Sequence, residues 1–461
     1  MAHTKNPGED RKDREDREAQ ANRWDQLAVP WHRHYLGKME TVPRCVVRGM
    51  DDFSVWYSPG VAEACQAIAR EPGLVDELTS RGNTVAVVSD GSRVLGLGDI
   101  GPKAGFPVME GKALLYKYLG GVDSVPIMLN DPDPDSIIKT VLNLQSSFGG
   151  INLEDIAQPK CFRILDTLRK EAEIPVWHDD QQGTATVTLA GLLNALDLVG
   201  KKIEDVRIAF IGAGAANVAC ARLIFGRGAD PGRCTMNDRH GILTPDRSDL
   251  KENRLEYPEK WELAEMTNRE RRTGGTPQAM EGADVVIALS QPGPGVILPE
   301  WVRTMADKPI VFPEANPVPE IWPWEAQEAG AAVVATGRSD FPNQVNNSLC
   351  FPGIFRGALD VRASTISDGM CFAAAEAIAR RARDHRDYGP QRIMPTMEEW
   401  DLFGDIAASV GITAQKEGLA RLTRSEDELR EMALTRITRS RRITEVMMEQ
   451  GLIPPPPEPA T

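Results

Sequence analysis

The sequence predicts an α/β fold with two parallel sheets, each covered by helices. Three observations carry that prediction. Short β-branched runs alternate with longer helical patterns, as expected of parallel strands joined by helical crossovers. One run, Val206–Ile211, leads at once into a glycine turn and an apolar helical stretch. The 461 residues, 41% hydrophobic and 26% charged, suffice for two or three domains with substantial cores.

The first series pairs a strand at Thr84–Ser89 with a helix over Gly111–Leu119, and a strand at Val125–Leu129 with a helix over Ser136–Gln145. The second begins with Val206–Ile211 and a helix over Ala215–Phe225, then adds strands at Arg233–Asn237, Ala283–Leu289, Pro309–Phe312 and Ala331–Ala335. The break between the sheets is expected near Pro175–Gly183, after which a helix over Thr184–Val199 leads into the second. Residues 240–280 are polar and irregular and read as a surface excursion.

Residues 1 to about 25 are charge-dense and nearly free of aliphatics, so they form an arm that buries no core. The final GLIPPPPEPAT is a tail, because proline lacks the N–H a helix needs. Leu419–Gly451 is helical in pattern and is expected to pack on the first domain or on a second subunit. The resulting scheme is an arm over 1–44, a first domain over 45–178 to which the chain returns within 348–450, a second domain over 179–347, and a tail over 451–461.

Charge and cysteine usage exclude several classes. The 53 Lys and Arg against 67 Asp and Glu leave a net charge of −14, which argues against a nucleic-acid partner. No run of 18 apolar residues and no apolar leader occurs, so no membrane association is expected and the cytoplasm is the expected location. The seven cysteines are scattered, odd in number and never spaced CxxC, against both a disulfide framework and a thiolate zinc site. An anionic substrate would need a local cationic pocket or a metal ion in so acidic a chain.

After Val206–Ile211 comes Gly212-Ala213-Gly214-Ala215-Ala216-Asn217. The first glycine allows a tight turn, the second lets backbone approach a pyrophosphate, and the helix N-terminus offers unpaired N–H groups. Asp238 follows the next strand, about twenty positions on, where a carboxylate accepts from a ribose 2′-OH. A dinucleotide, NAD or NADP, is therefore expected. Asp238 favours NAD, while Arg239, His240 and Arg247 could accommodate a 2′-phosphate. Asn217 stands where a small residue is usual, implying a slightly lifted helix or an amide turned toward the ligand.

Two carboxylate pairs, Glu154-Asp155 and Asp179-Asp180, fall at the ends of elements, where neighbouring side chains can converge on one hard divalent cation. Lys112 opens an otherwise apolar helix. Desolvation and a nearby metal would depress its pKa toward the range of a general base.

Longer words in the sequence carry a resemblance. Tyr57-Ser58-Pro59-Gly60-Val61-Ala62, Ser89 through Pro102 (SDGSRVLGLGDIGP), Pro107 through Ala113 (PVMEGKA), the LED segment and His178 through Thr184 (HDDQQGT) form the first half. Ala315 through Glu320 (ANPVPE), Ala335 through Asp340 (ATGRSD), Pro342 through Asn347 (PNQVNN) and Phe351 through Leu359 (FPGIFRGAL) form the second. From about residue 45 to 385 the chain resembles the malic enzymes, in the short bacterial form without a fused acyltransferase domain.

The resemblance implies an N-terminal substrate- and metal-binding domain with a small sheet, followed by a Rossmann-type NAD(P)-binding domain. It implies oxidative decarboxylation of L-malate to pyruvate and CO2, with Mg²⁺ or Mn²⁺ and NAD(P)⁺, in a homodimer or larger homo-oligomer. Glu154, Asp155 and Asp180 match the metal ligands, Lys112 the general base, Tyr57 the general acid and Asp179 the partner that orients the lysine. Arg93 matches the cation that clamps a substrate carboxylate; Asn316 and Asn347 match positions near substrate and nicotinamide. Ser58 stands where the family often has Thr, and Gln182 where short members often have His. The loop Ser290-Gln291-Pro292-Gly293-Pro294-Gly295 is longer than the family's and is expected to border the cofactor, with Ser290 and Asn316 touching it. Alternatives that keep the fold are another 2-hydroxy acid, decarboxylation without net release of reduced cofactor, or a non-catalytic metabolite-sensing homologue.

Overall fold

The computed structural model describes residues 24–457. Two compact units are resolved, one of Pro43–Arg441 and one of the residues up to Val42 together with those from Arg442 onward. In the smaller unit residues 24–35 are helical, and the Tyr35 hydroxyl donates to the Pro454 carbonyl at 3.0 Å. The expected N-terminal arm falls, up to residue 23, outside the described residues, as do the last four residues of the tail.

The larger unit opens with two helices, α1 (Met50–Trp56) and α2 (Val61–Arg70), and then builds a four-stranded sheet. Its elements are β1 (Thr84–Ser89), α3 (Gly101–Gly120), β2 (Asp123–Met128), α4 (Pro134–Leu144), β3 (Gly150–Leu153), α5 (Lys160–Glu171) and β4 (Val176–His178). The order is β2-β1-β3-β4, all parallel. β1, β3 and β4 are buried on both faces, which is why they read as apolar runs without alternation. β2 lies at the edge and therefore tolerates Pro126, which has no N–H to give a ladder.

A single π-helical turn, Asp179–Gly183, leads into α6 (Thr184–Val199), almost wholly buried. The second sheet follows: β5 (Ile208–Ile211), α7 (Ala215–Gly226), β6 (Thr235–Asp238), β7 (Gly241–Ile242), α8 (Pro258–Met266), β8 (Val285–Ala288), β9 (Ile310–Pro313) and β10 (Val333–Val334). The order β10-β9-β8-β5-β6-β7 is parallel except for β7. It reverses direction between β5 and β8, the arrangement of a doubly wound dinucleotide fold. Four helices complete the chain: α9 (Phe351–Asp360), α10 (Asp368–Arg383), α11 (Leu402–Lys416) and α12 (Glu426–Glu449). α9 is buried along its whole length.

Several boundaries differ from the sequence expectation. α3 begins ten residues earlier than Gly111, through Gly105 and Pro107, which read locally as helix breakers. Packing against the first sheet overrides them, and Lys112 consequently sits in the middle of the helix rather than opening it. The residues before Glu154 form a strand, β3, where the sequence showed a glycine pair. The excursion over 240–280 contains β7 and α8 among other short helices. All seven cysteines are free, and among the described residues no helix is long and apolar enough to cross a membrane.

Candidate active site

The first sheet also reverses direction, since β2 lies on one side of β1 and β3 and β4 on the other. Ligands in such sheets bind beyond the carboxyl ends of the strands at the reversal. The two acidic pairs stand there: Leu153 of β3 is in register with His178 of β4, so Glu154 and Asp179 leave the sheet side by side. The acidic side chains of Glu154, Asp155 and Asp180 place one oxygen each within 4.8 Å of one another.

These carboxylates are held in place by hydrogen bonds, with Lys112 on Glu154 as the cation among them. The Asn152 amide donates to Glu154 Oε2 at 2.8 Å, and the Tyr116 hydroxyl donates to Asn152 Oδ1 at 2.8 Å. Asp155 adopts φ +53°, a left-handed conformation unusual for Asp, and its N–H donates to Asp180 Oδ2 at 2.8 Å. Asp155 Oδ1 accepts from the Leu95 N–H at 3.3 Å, but Oδ2 is buried without any partner. Burial first, then the charge of Asp180, pushes the Asp155 carboxyl up to about 8. Burial likewise drives Glu154 well above the usual carboxylate range. Three converging carboxylates with an orphaned buried oxygen fit a hard divalent cation. His178, fully buried beside them with Nδ1 3.5 Å from Asp180 Oδ2, is held below its usual range chiefly by burial.

Lys112 reaches into the cluster from α3. Its Nζ lies 2.5 Å from Asp179 Oδ2 and 3.0 Å from Glu154 Oε1, above the Phe351 ring at 4.3 Å to the centroid. Burial pulls the ammonium down, but Asp179 and Glu154 pull harder and hold it above its ordinary value. The depressed amine expected beside a metal ion is not what the chain's own charges give: by themselves they hold the proton on Lys112, and a cation neutralising Glu154 would remove part of that hold.

Asp179 is fixed on every side. The Trp177 indole N–H donates to Oδ1 at 3.0 Å and the Asn347 amide to Oδ2 at 2.9 Å, while Asn347 also contacts Thr184 at 3.2 Å. A Cβ on Gly183 would lie 2.2 Å from Asp179 Oδ1. Gly183→Ala is therefore expected to displace Asp179 from Lys112 and lower turnover about 10²-fold with little change in Tm. Steady-state kinetics beside a thermal melt checks this; unchanged turnover would mean the lysine does not depend on that carboxylate's position.

At the second sheet the chain turns at Gly212, with φ +100°, into the N-terminus of α7, whose first turn has no side-chain cap beyond Gly214. Its N–H groups at Ala215 and Ala216 are thus available to a pyrophosphate, as a dinucleotide requires. Asn217 turns inward: its amide donates to the carbonyls of Ile211 at 2.8 Å and Gly212 at 3.0 Å, so it locks the turn. Asp238 ends β6 and is paired with Arg247 at 2.9 Å and Lys260 at 3.7 Å. The Ser290 N–H and hydroxyl both donate to Glu320 Oε1, at 2.9 and 3.1 Å, which anchors the proline-rich loop.

The structure thus gathers Lys112, Glu154, Asp155, Asp179, Asp180 and Asn347 at the first sheet, and Gly212 through Asn217 with Asp238 at the second. Asn316 follows β9, half-buried. Two residues remain outside. Tyr57, at the C-terminal end of α1, is 78% exposed. Arg93 exposes its side chain, unpaired among the described residues, while its backbone N–H donates to the Asp155 carbonyl at 3.0 Å. Sequence reasoning missed Asn152, Trp177 and Phe351, which support the cluster. An Asn inside an apolar strand was the only signal for any of them.

Residues 36–169 match the family described as "Malic enzyme, N-terminal domain", and residues 181–417 match "Malic enzyme, NAD binding domain". The chain is 46% identical over 408 residues to the "Bifunctional malic/malolactic enzyme" of Bacillus subtilis (strain 168), covering 88% of this chain and 96% of that one. It is 47% identical over 388 residues to the "NAD-dependent malic enzyme" of Geobacillus stearothermophilus, covering 84% and 79%. The crystal structure of Entamoeba histolytica malic enzyme superimposes with a TM-score of 0.92 at 46% identity, covering 98% of this chain and 93% of that one.

Proposed function

The chain belongs to the malic enzyme family, and from that membership we propose that it catalyses the metal-dependent oxidative decarboxylation of L-malate to pyruvate and CO2 with reduction of NAD(P)⁺. The observation that carries this reading is Lys112 held between Asp179 and Glu154, at the edge of the three converging carboxylates. A base beside a divalent-cation site is what removal of a proton from a 2-hydroxy acid requires.

Glu154, Asp155 and Asp180 would hold Mg²⁺ or Mn²⁺, which supplies Lewis acidity at the substrate's C2 oxygen. NAD(P)⁺ on the Gly212–Asn217 turn supplies the hydride acceptor. With a cation neutralising Glu154, Lys112 Nζ would release its own proton to solvent and, as the neutral amine, take the C2 hydroxyl proton, while Asp179, fixed by Trp177 and Asn347, keeps that amine aimed at it. Arg93, with no ion pair among the described residues, clamps a substrate carboxylate. Tyr57, exposed and outside the cluster within one chain, is assigned delivery of the proton to C3, which requires a second copy of the chain or a shift of α1 to bring it there.

The test is reduction of NAD⁺ or NADP⁺ followed at 340 nm with L-malate and Mn²⁺, with pyruvate assayed on the same sample and a chelated control. Chelator-sensitive reduction matched by pyruvate is expected; reduction without pyruvate would leave a plain 2-hydroxy-acid dehydrogenase. The relative named for malolactic activity makes lactate, formed without net reduced cofactor, the second product to measure.

The same proposal takes NAD⁺ as the preferred cofactor. Arg247 and Lys260 are already committed to Asp238, whose charge would repel a 2′-phosphate. Asp238→Ala is expected to free Lys260, leave Arg247 held by Asp249 and the Gly241 carbonyl, and shift the ratio of kcat/KM for NADP⁺ over NAD⁺ upward at least about tenfold. An unchanged ratio would take Asp238 out of the cofactor site. A homodimer or larger assembly and a cytoplasmic location complete the proposal. The assembly is supported by α2, which buries none of its residues, and by exposed Met50, Phe53, Val55 and Trp56 on α1.

A further inference from the structure

A cleft of about 880 Å³ opens where the C-terminal end of α9 meets the residues leading into β1. Arg44, Arg362, Arg424 and Arg436 line it against Asp76, Glu77 and Asp360, with Asp76 taken up by Arg81 from outside the cleft. The charges do not balance. Asp360 is taken up by Arg356, whose Nε and Nη2 reach it at 2.9 and 2.8 Å, and both side chains are fully buried. Arg436 approaches Asp360 only to 3.6 Å, and it shares the Asn83 side-chain oxygen with Arg356, at 3.1 and 2.6 Å. Two guanidinium groups therefore divide one carboxylate and one neutral amide oxygen.

The other arginines deepen the imbalance, Arg362 excepted, since it pairs with Glu77 at 2.9 Å. Arg44 has only Asp123 at 3.7 Å, and that carboxylate already accepts from Lys117 at 2.6 Å and Asn83 at 2.9 Å. Arg424 has no ion pair among the described residues, and its Nε is buried without a hydrogen-bond partner. Arg356 above all, then burial, pulls the Arg436 guanidinium below its ordinary value, and Arg44 and Arg424 add to the effect. Arg44 and Arg436, with 52% and 38% of their side chains in solvent, are open to an anion arriving from it, and the buried Arg424 Nε offers that anion an unused donor.

We propose that this cleft binds a phosphorylated metabolite, its phosphate held by Arg44, Arg424 and Arg436 and its remainder lying along Leu359, Leu422 and Met432. Guanidinium forks match phosphate oxygens, and a dianion answers this excess charge better than a single carboxylate does. The volume falls within the range of about 300–1,000 Å³ common to small-molecule sites. α9 joins the cleft to the candidate active site, since Phe351 at its other end underlies Lys112.

The test is a thermal-shift and calorimetric titration of the full chain, saturated with NAD⁺ so that the Gly212–Asn217 turn is filled, with inorganic pyrophosphate, without added divalent cation, against sodium chloride of equal ionic strength. Wild type is expected to gain a saturable rise in Tm that chloride does not give. Arg424→Gln, or Arg44→Gln should the first fold poorly, is expected to weaken pyrophosphate binding at least tenfold. Arg247→Gln, at the cofactor site, is expected to leave that binding intact. A shift equal to that of chloride, a shift that survives Arg424→Gln, or equal protection by succinate would overturn the proposal. So would altered sedimentation of Arg424→Gln with no pyrophosphate-specific shift, which would give the cleft to a second copy of the chain.

Discussion

Lys112→Ala is expected to lower kcat by about 10²–10⁴-fold, the contribution of a positioned general base, with a much smaller change in the KM for malate. Alanine also leaves Asp179 and Glu154 without their shared cation, so lost activity alone would not separate a base from a structural ion pair. Lys112→Arg makes that separation. A guanidinium keeps the charge between the two carboxylates but does not release a proton near neutrality. The arginine variant is therefore expected to be as inactive as the alanine variant while recovering most of the Tm that alanine loses. The readouts are single-turnover reduction of cofactor and a thermal melt of all three proteins; substantial turnover by Lys112→Arg would remove Lys112 from the role of base.

Asp155→Asn is expected to act in opposite directions on activity and stability. With Asp155 pushed up to about 8 from 3.8, its folded pKa lies above its unfolded value. Its contribution to stability is then full below about pH 4 and is lost progressively as pH rises through about 8. Chelated wild-type protein should accordingly lose Tm over that window, and Mn²⁺ should restore it at the alkaline end, where the carboxylates are ionised and bind the cation. Asn cannot ionise, tolerates the positive φ and can still accept from the Leu95 N–H. The variant should therefore flatten the pH dependence and raise the chelated Tm at pH 8 by about 2 °C. Metal-dependent turnover should meanwhile fall at least about 10³-fold. Melts across pH with chelator or Mn²⁺ check both halves, and a wild-type Tm indifferent to Mn²⁺ at pH 8 would sink the cation site.

Which features were legible in the sequence follows from how local their causes are. Buried parallel strands are apolar on both faces, so β1, β5, β8 and β9 announced themselves as short runs. The turn at Gly212 is equally local, because strand, glycine and helix start are consecutive. β3 was harder: only four residues long, it carries a polar Asn152 whose role depends on Tyr116, 36 positions away. α3 misled because Gly105 and Pro107 weaken a helix by themselves, whereas contact with the first sheet holds it.

The chain's residue types and order by themselves determined the two parallel sheets, the dinucleotide turn and the inventory of carboxylates and lysine, since each is written in neighbouring residues. Tertiary structure decided what those groups do to one another. It set Lys112 between carboxylates from β3 and β4 and so raised its pKa where isolation would have lowered it. It turned Asn217 inward, bound Ser290 to Glu320 and paired Asp238 with Arg247. Coulombic and desolvation energies depend on distance and burial, and in a parallel sheet groups within 3 Å of each other arise from segments tens of residues apart.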